Sequence, residues 1–211
     1  MYITWHGQAC FKIQGKEAII ITDPYENKIG LNMPRLNGTI VTVSHDHYDH
    51  NNITAISGDP FVISTPGEYE VKGVFIQGLT SWHDDKEGAD RGKNTIFIFE
   101  TEEIKIAHLG DLGTTLSDQQ LEKLEGVDIL LIPVGGTYTI DGKQAATVVS
   151  QIEPRIVIPM HYKITGLNIK LQGAEPFCNE MGVKKNSIED KLKITKKDLP
   201  AEETKVILLK P

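Results

Sequence analysis

A cluster of histidines and aspartates follows a β-branched run in the first quarter of the sequence, which reads IVTVSHDHYDHNN over residues 40–52. Its members form the pattern HxHxDH, made of His45, His47, Asp49 and His50. In an extended segment alternate side chains project to one side, so His45 and His47 can reach one point together. If the chain turns after His47, Asp49 and His50 can face a second point a few ångströms away. Because imidazole nitrogens and carboxylate oxygens bind zinc, the pattern predicts a metal site rather than a solvated loop.

Three further candidate ligands stand where later apolar runs end. They are His83 in LTSWHDD, Asp111 in AHLGDLG and His161 in VIPMHYK. Taken alone, each is an ordinary loop or turn residue. Joined to HxHxDH, they make a set large enough for two metal ions, since one tetrahedral zinc uses only four ligands.

His108 competes with His83 for a place in this set. His108 lies in IKIAHLGD, where it shares one strand face with two isoleucines and therefore lies at the edge of the packing. His83 instead ends an apolar run and opens the polar loop HDDKEGADRGKN. That position is equivalent to those of His45 and His161, so we place His83 at the metal and give His108 a structural or supporting role.

The elements that must position these residues are strands in the first half of the chain and alternating strands and helices in the second. SDQQLEKLEG has a capping serine, spaced leucines and a terminal glycine, and DGKQAATVVSQIEP ends at a proline, so both predict helices. The apolar segments VDILLIP and RIVIPMH predict buried strands after them. The order predicts a mixed α/β layer fold, with strands in residues 1–5, 18–22, 39–43, 61–64, 71–79, 95–100 and 104–107, a third helix in AEPFCNEMG and a last strand in TKVILLK.

Composition narrows the classes of function. The 211 residues, 39% of them hydrophobic, suffice for a single domain spanning 1–211. No run approaches the roughly 18 apolar residues of a membrane span, and MYITWHGQACFKI reads as a strand rather than a secretory signal. Two cysteines without a CxxC spacing favour a reduced cytoplasm. A net charge of −7 without a long basic stretch argues against a nucleic-acid partner, and the oligomeric state is left open.

The motifs together resemble the metallo-β-lactamase superfamily, which has HxHxDH, then a histidine, then GD, then a histidine after an apolar strand. The segments TWHGQACFKI, ITDPY, SHDHYDH, LIPVGGTYTIDGKQAA and VIPMHYK are similar to the ascorbate-6-phosphate-lactonase-like branch of predicted metal-dependent hydrolases. A more distant similarity is to N-acyl-phosphatidylethanolamine-hydrolysing phospholipase D. The match covers residues 1–162 and implies a four-layered αββα sandwich, with metals at one edge of its two sheets.

The resemblance implies a role for each ligand around two metal ions. Asp111 would bridge the ions, and Asp49 and Asp111 are the candidate catalytic residues. The remaining ligands divide into two sets of three, namely His45, His47 and His83 for the first metal and Asp49, His50 and His161 for the second.

Other family positions carry more than one interpretation. Asp23 in ITDPY matches an aspartate that would orient a ligand, or it is a turn residue before proline. His6 matches an early histidine that would approach the site, with a packed or exposed strand end as the alternative. Residues 135–138 offer backbone amides to an anion, or form a tight turn into a helix. Where relatives commonly have GDT, this chain has GDL, so a hydroxyl contact is expected to be missing at Leu112.

Ligands of this kind determine the expected chemistry. Histidine and carboxylate ligands without thiolate suit zinc first, with manganese and iron as alternatives. Two divalent ions, the carboxylates of Asp49 and Asp111 and a bridging hydroxide leave a net charge of about +1, which favours an anionic substrate. Metal-bound water ionises near neutral pH and supplies a nucleophile. We therefore expect a hydrolase of a small anionic ester, lactone or phosphoester.

Four other functions are considered for this pattern. A mononuclear iron dioxygenase of sulfur compounds can use the same fold, and HxHxDH does not exclude it. A flavodiiron protein is disfavoured, because such proteins typically have glutamate in place of His47 and add a flavin domain. A nuclease would need a basic surface or a clamp domain, and an inactive binding protein is disfavoured by the complete ligand set.

Overall fold

The computed structural model describes residues 1–183 and 188–211. Within these residues fifteen strands and three α-helices follow one another, together with three short 3₁₀ turns. The elements are β1 (Tyr2–Trp5), β2 (Phe11–Gln14), β3 (Ile19–Thr22), β4 (Leu36–Asn37), β5 (Ile40–Thr42), β6 (Ile56–Ser57), β7 (Phe61–Ile63), β8 (Gly67–Val71), β9 (Val74–Trp82), β10 (Lys93–Thr101), β11 (Ile104–His108), α1 (Asp118–Leu124), β12 (Ile129–Pro133), α2 (Gly142–Ile152), β13 (Ile156–Met160), α3 (Glu175–Glu180), β14 (Leu192–Lys193) and β15 (Lys205–Val206).

Two large mixed sheets carry the fold. The first has six strands in the order β14-β1-β2-β3-β5-β7, and the second has seven in the order β15-β13-β12-β11-β10-β9-β8. Each sheet begins as antiparallel strands and continues as parallel strands. The parallel half of the second sheet arises because α1 and α2 return the chain to the same edge before β12 and β13, as the βαβ connection requires.

The main core lies between the two sheets. Along β10 the side chains alternate with the period of a strand, so Phe97 and Phe99 face the first sheet while Ile96 and Ile98 face the helices. The first sheet contributes residues such as Trp5 to the same core.

The helices cover the outer face of the second sheet. Both α1 and α2 begin with a capping box, in which Ser117 pairs with Gln120 and Asp141 pairs with Gln144. In α2 the buried residues Ala145, Val148, Val149 and Ile152 follow the 3.6-residue period and form the apolar stripe that packs on the strands.

The outer face of the first sheet is covered differently. Its apolar residues, among them Ile21 and Val41, pack against Tyr25, Ile29 and Ile56. These come from two 3₁₀ turns, the β4–β6 ribbon and the loops around them. The four expected layers are therefore present, and in the described residues the layer outside the first sheet contains no α-helix.

Two predicted strands differ from the structure. The run 71–79 is interrupted, because Lys72 and Gly73 both take left-handed backbone angles and close a two-residue hairpin turn between β8 and β9. The segment TKVILLK pairs as a strand only at Lys205–Val206, with one isolated bridge at Leu209, since it lies at the edge of the sheet with a partner on one side. Among the described residues, no helix is long and apolar enough to cross a membrane.

Replacing Phe97 with alanine should destabilise the fold by about 3–5 kcal/mol, because it leaves a cavity between the two sheets. Phe97 is fully buried, whereas Phe61 on the edge strand β7 is 51% exposed and provides a matched control. Urea unfolding of Phe97→Ala and Phe61→Ala measures both free energies of unfolding. Equal losses in the two variants would contradict the placement of the core between the sheets.

Candidate metal centre

The predicted ligands gather where strands from both sheets end. His45 follows β5 of the first sheet, whereas His83, Asp111 and His161 follow β9, β11 and β13 of the second. These three strands run in the same direction, so their carboxyl ends share one edge. The two sheets meet there through a hydrogen bond of 2.8 Å from the Thr95 amide to the Ser44 carbonyl.

Asp111 lies at the centre of the cluster. Its Oδ2 atom is surrounded by the Nε2 atoms of four histidines, at 3.2 Å from His161, 3.3 Å from His50, 3.3 Å from His83 and 3.9 Å from His45. The side chain is buried, and its backbone amide donates to Oδ1 of Asn94. A carboxylate is therefore held among imidazoles that come from three separate segments of the chain, the loop after β5 and the ends of β9 and β13.

All seven predicted ligands belong to this cluster. They form three overlapping groups, each with its ligand atoms within 4.8 Å of one another: His45, His47 and His83; His45, His50 and Asp111; and Asp49, His50 and His161. The first and third groups are the two ligand sets that the resemblance implies, and the second links them through Asp111.

The spacing and the unpaired atoms fit metal ions. Ligand atoms bound tetrahedrally to zinc at 2.0–2.1 Å lie about 3.4 Å apart, close to the separations around Asp111 Oδ2. Within the described part of the chain, His45 Nε2, His50 Nε2 and Asp111 Oδ1 are buried and have no hydrogen-bond partner. Leaving such atoms unpaired is costly, and bound divalent cations would satisfy them.

The pKa values of two buried histidines beside Asp111 shift in opposite directions. Burial, followed by the nearby charge of His50, lowers the pKa of His45 well below its usual value. Burial also acts to lower the pKa of His50, but the carboxylates of Asp111 and Asp49 outweigh it and raise that pKa well above its usual value. The buried carboxylates therefore create a negative potential at His50, which favours the binding of a cation there.

Asp23 orients His50 directly and His45 through Ser44, in each case by hydrogen bonding on the Nδ1 side of the ring. Its Oδ2 accepts hydrogen bonds from Ser44 Oγ at 2.5 Å and from His50 Nδ1 at 2.9 Å. Because the Ser44 hydroxyl proton goes to Asp23, Ser44 Oγ accepts from His45 Nδ1 at 2.9 Å. Both histidines thus direct Nε2 towards Asp111, which is the role that the family resemblance implies for Asp23.

Gln8 is a member of the site that the sequence reasoning missed. Its Nε2 donates to Asp49 Oδ2 at 3.0 Å and lies 3.1 Å from His161 Nε2, and the side chain is fully buried. The backbone carbonyl of Gln8 also accepts a hydrogen bond from the His161 backbone amide at 3.0 Å. The available signal was a polar residue in the turn of HGQACF. The sequence suggested His6 in this turn instead, but His6 belongs to none of the three groups.

His108 occupies a structural position. Its Nε2 donates to the Ala9 carbonyl at 2.8 Å, and its Nδ1 accepts the Gly110 amide at 3.3 Å. Both ring nitrogens are thus engaged with backbone, and His108 belongs to none of the three candidate metal groups. Gly110 itself has a φ of 55°, and a Cβ there would lie 2.3 Å from Asn94, so the turn into Asp111 requires glycine.

Two other sequence expectations have clear outcomes. At residues 135–138, the Gly136 amide donates to the Ile140 carbonyl and the Tyr138 amide to the Gly136 carbonyl, and the Asp141 carboxylate caps the helix that follows. This agrees with the tight-turn interpretation. Leu112, at which the family resemblance implies a missing hydroxyl contact, is fully buried in the core under the helices.

A cleft of about 670 Å³ opens above the cluster. The ligands His47, Asp49, His83, Asp111 and His161 line its base. Loops from both sheets form its walls, with Tyr48 on the first-sheet side and Tyr138 on the second. The arrangement would give a small molecule access to bound metal ions.

Comparison with known proteins agrees with this geometry. A family model described as a β-lactamase superfamily domain matches residues 2–161. A UPF0173 protein from Pyrococcus abyssi is 33% identical over 184 residues, which cover 79% of this chain and 85% of that protein. A UPF0173 metal-dependent hydrolase from Thermoplasma volcanium is 30% identical over 186 residues, which cover 76% of this chain and 82% of that protein.

A solved structure extends the likeness to the whole chain. A Thermotoga maritima protein, described as a candidate Zn-dependent hydrolase of the metallo-β-lactamase superfamily, is 35% identical with a TM-score of 0.79, covering 99% of both chains. The fold and the family model define a protein of the metallo-β-lactamase superfamily, which confirms the predicted superfamily and fold class. Within it, the chain belongs to the UPF0173 family.

Replacing His83 with alanine should weaken zinc binding by at least about 10- to 100-fold, whereas His108→Ala should keep zinc binding and lose only stability. The reason is that His83 Nε2 points at Asp111, while both nitrogens of His108 bind backbone groups. Zinc titration of the two metal-stripped variants, with circular dichroism as a check on folding, measures the difference. Loss of zinc by His108→Ala and its retention by His83→Ala would reverse the assignment.

Proposed function

We propose that this protein is a hydrolase that uses two divalent metal ions, zinc first, to cleave a small anionic ester, lactone or phosphoester. The observation that carries the proposal is the buried Asp111 carboxylate with four histidine Nε2 atoms 3.2–3.9 Å from it. The similarity to proteins described as metal-dependent or Zn-dependent hydrolases supports it. The ligands are nitrogen and oxygen atoms, and neither cysteine belongs to the candidate groups, which suits zinc, manganese or iron.

Each part of the site has a defined task in this proposal. His45, His47 and His83 would hold one ion, Asp49, His50 and His161 would hold the other, and Asp111 would contribute to both. When bound, the ions supply Lewis acidity and lower the pKa of a bound water towards neutrality, which provides hydroxide as the nucleophile.

The surrounding residues keep the ligands in place. Asp23 and Ser44 hold the protons of His50 and His45 on Nδ1, so that Nε2 stays available. Gln8 donates to one oxygen of Asp49 and leaves the other oxygen available. These contacts fix the ligands before substrate arrives, so little reorganisation is needed during the reaction.

The substrate is expected to be small and negatively charged. The cleft volume of about 670 Å³ fits a molecule of metabolite size. Two divalent ions with two carboxylates and a hydroxide leave a net charge of about +1 at its base, which attracts an anion. We propose no nucleic-acid or membrane partner, and we place the protein in the cytoplasm because both cysteines are free.

Replacing Asp111 with alanine should reduce hydrolysis below detection while leaving the protein folded, because Asp111 joins the metal sites rather than filling the core. Asp46, an exposed residue inside the HxHxDH segment, provides a matched control in Asp46→Ala. Zinc-loaded wild type and both variants are assayed on anionic lactones, phosphodiesters and thioesters, with circular dichroism as the check on folding. Full activity of Asp111→Ala, or no turnover of any substrate by the wild type, would contradict the proposal.

A further inference from the structure

The wall of the cleft carries positive charge that the metal site does not use. Besides the ligands, three cationic side chains line it: Lys28, Arg91 and Lys170. The carboxylates lining the cleft are those of Asp49 and Asp111, both at its base. Positive charge at the wall is therefore additional to the charge that metal ions bring.

Arg91 is held in place by a rigid loop. The loop 84–92 wraps around the buried Asp84 carboxylate, which accepts four backbone amides at 2.7–3.1 Å, including that of Arg91 itself. The same loop is tied to a ligand, because the His83 amide donates to the Gly92 carbonyl at 3.1 Å. The backbone of Arg91 is thus fixed relative to the metal centre.

The guanidinium of Arg91 is also preorganised. It lies over the Tyr138 ring, 5.4 Å from the ring centroid, and its Nη2 donates to the Thr137 carbonyl at 3.4 Å. No carboxylate of the described residues forms an ion pair with it. A planar cation held in this way, with donors to spare, suits a carboxylate or phosphate of a ligand.

The other two cations differ in their freedom to bind a ligand. Lys28, from the loop of the first sheet, lies over the Tyr48 ring but already pairs with Glu26 at 2.9 Å. Lys170 is exposed, and among the described residues no carboxylate pairs with it. The unneutralised charge therefore comes from Arg91 and Lys170.

We propose that Arg91, assisted by Lys170, forms a second anion subsite on the cleft wall, so that the substrate has two anionic groups. One belongs to the reacting end at the metals, and the other is a carboxylate or phosphate remote from the bond that is cleaved. This inference rests on the proposed function. It narrows the substrate class from small anions to small molecules that are negatively charged at both ends.

Binding of simple dicarboxylates tests the subsite without turnover. Zinc-loaded protein is titrated by calorimetry with straight-chain dicarboxylates from succinate to suberate, and with the monocarboxylates of equal length, at one ionic strength. At least one dicarboxylate should bind about 10- to 100-fold more tightly than its monocarboxylate, the range expected for a hydrogen-bonded charge pair. Arg91→Gln removes the positive charge and should therefore abolish that preference. The backbone amide of residue 91, which donates to Asp84, is kept in this variant, so the loop should stay folded.

Arg35→Gln provides the matched control, since Arg35 is exposed and does not line the cleft. It should keep the wild-type preference, and circular dichroism should show all variants folded. Equal binding of mono- and dicarboxylates by the wild type, or an unchanged preference in Arg91→Gln, would overturn the subsite.

Kinetics separates this inference from the proposed function. With 4-nitrophenyl acetate and mono(4-nitrophenyl) succinate as neutral and anionic esters, Arg91→Gln should raise KM only for the succinate. If neither ester nor any of the anionic lactones, phosphodiesters and thioesters is hydrolysed but the dicarboxylate preference depends on Arg91, the hydrolase proposal fails and the subsite stands. If esters are hydrolysed and KM for the succinate is unchanged in Arg91→Gln, the subsite fails and the hydrolase proposal stands.

Discussion

A buried carboxylate surrounded by imidazoles is the constraint on which the rest of this structure depends. Asp111 Oδ2 lies 3.2–3.9 Å from four histidine nitrogens, and burying such groups is costly unless positive charge lies among them. The carboxylates of Asp111 and Asp49 raise the pKa of His50 well above its usual value, which is the effect of negative charge buried around it. Bound divalent ions would supply the positive charge, and they would also lower the pKa of a bound water towards neutrality.

The hydrogen bond that joins the two sheets at this edge is made by residues that lie next to the contacts holding the ligands. The Thr95 amide donates to the Ser44 carbonyl across the sheets, and Ser44 also contacts Asp23 and His45. Asn94 donates to the Leu109 carbonyl and accepts the amide of Asp111. Stability of the sandwich edge and geometry of the site are therefore coupled, and a change in either one is expected to affect the other.

Sequence reasoning predicted the parts of the site that depend on local pattern. His83 and His161 each follow a strand of the second sheet, and strand ends that share one edge of a sheet lie close together, so their convergence was predictable. That His45 of the first sheet joins them was implied by the family resemblance. Gln8 and Arg91 were not predictable in this way. Their importance comes from contacts with segments remote in sequence, Asp49 for Gln8 and Tyr138 for Arg91, and no local periodicity reports such contacts. The structure of the layer outside the first sheet could not be predicted from the sequence either, because it consists of turns and loops.

The measurement that tests the central claim most directly is a crystal structure of the zinc-loaded protein, with anomalous scattering recorded at the zinc edge. The account predicts two anomalous peaks about 3.5–4 Å apart, the separation typical of two-metal sites, with Asp111 between them. It predicts three further protein ligands for each ion, from the seven side chains gathered there. A single peak, or peaks bound away from Asp111, would contradict it.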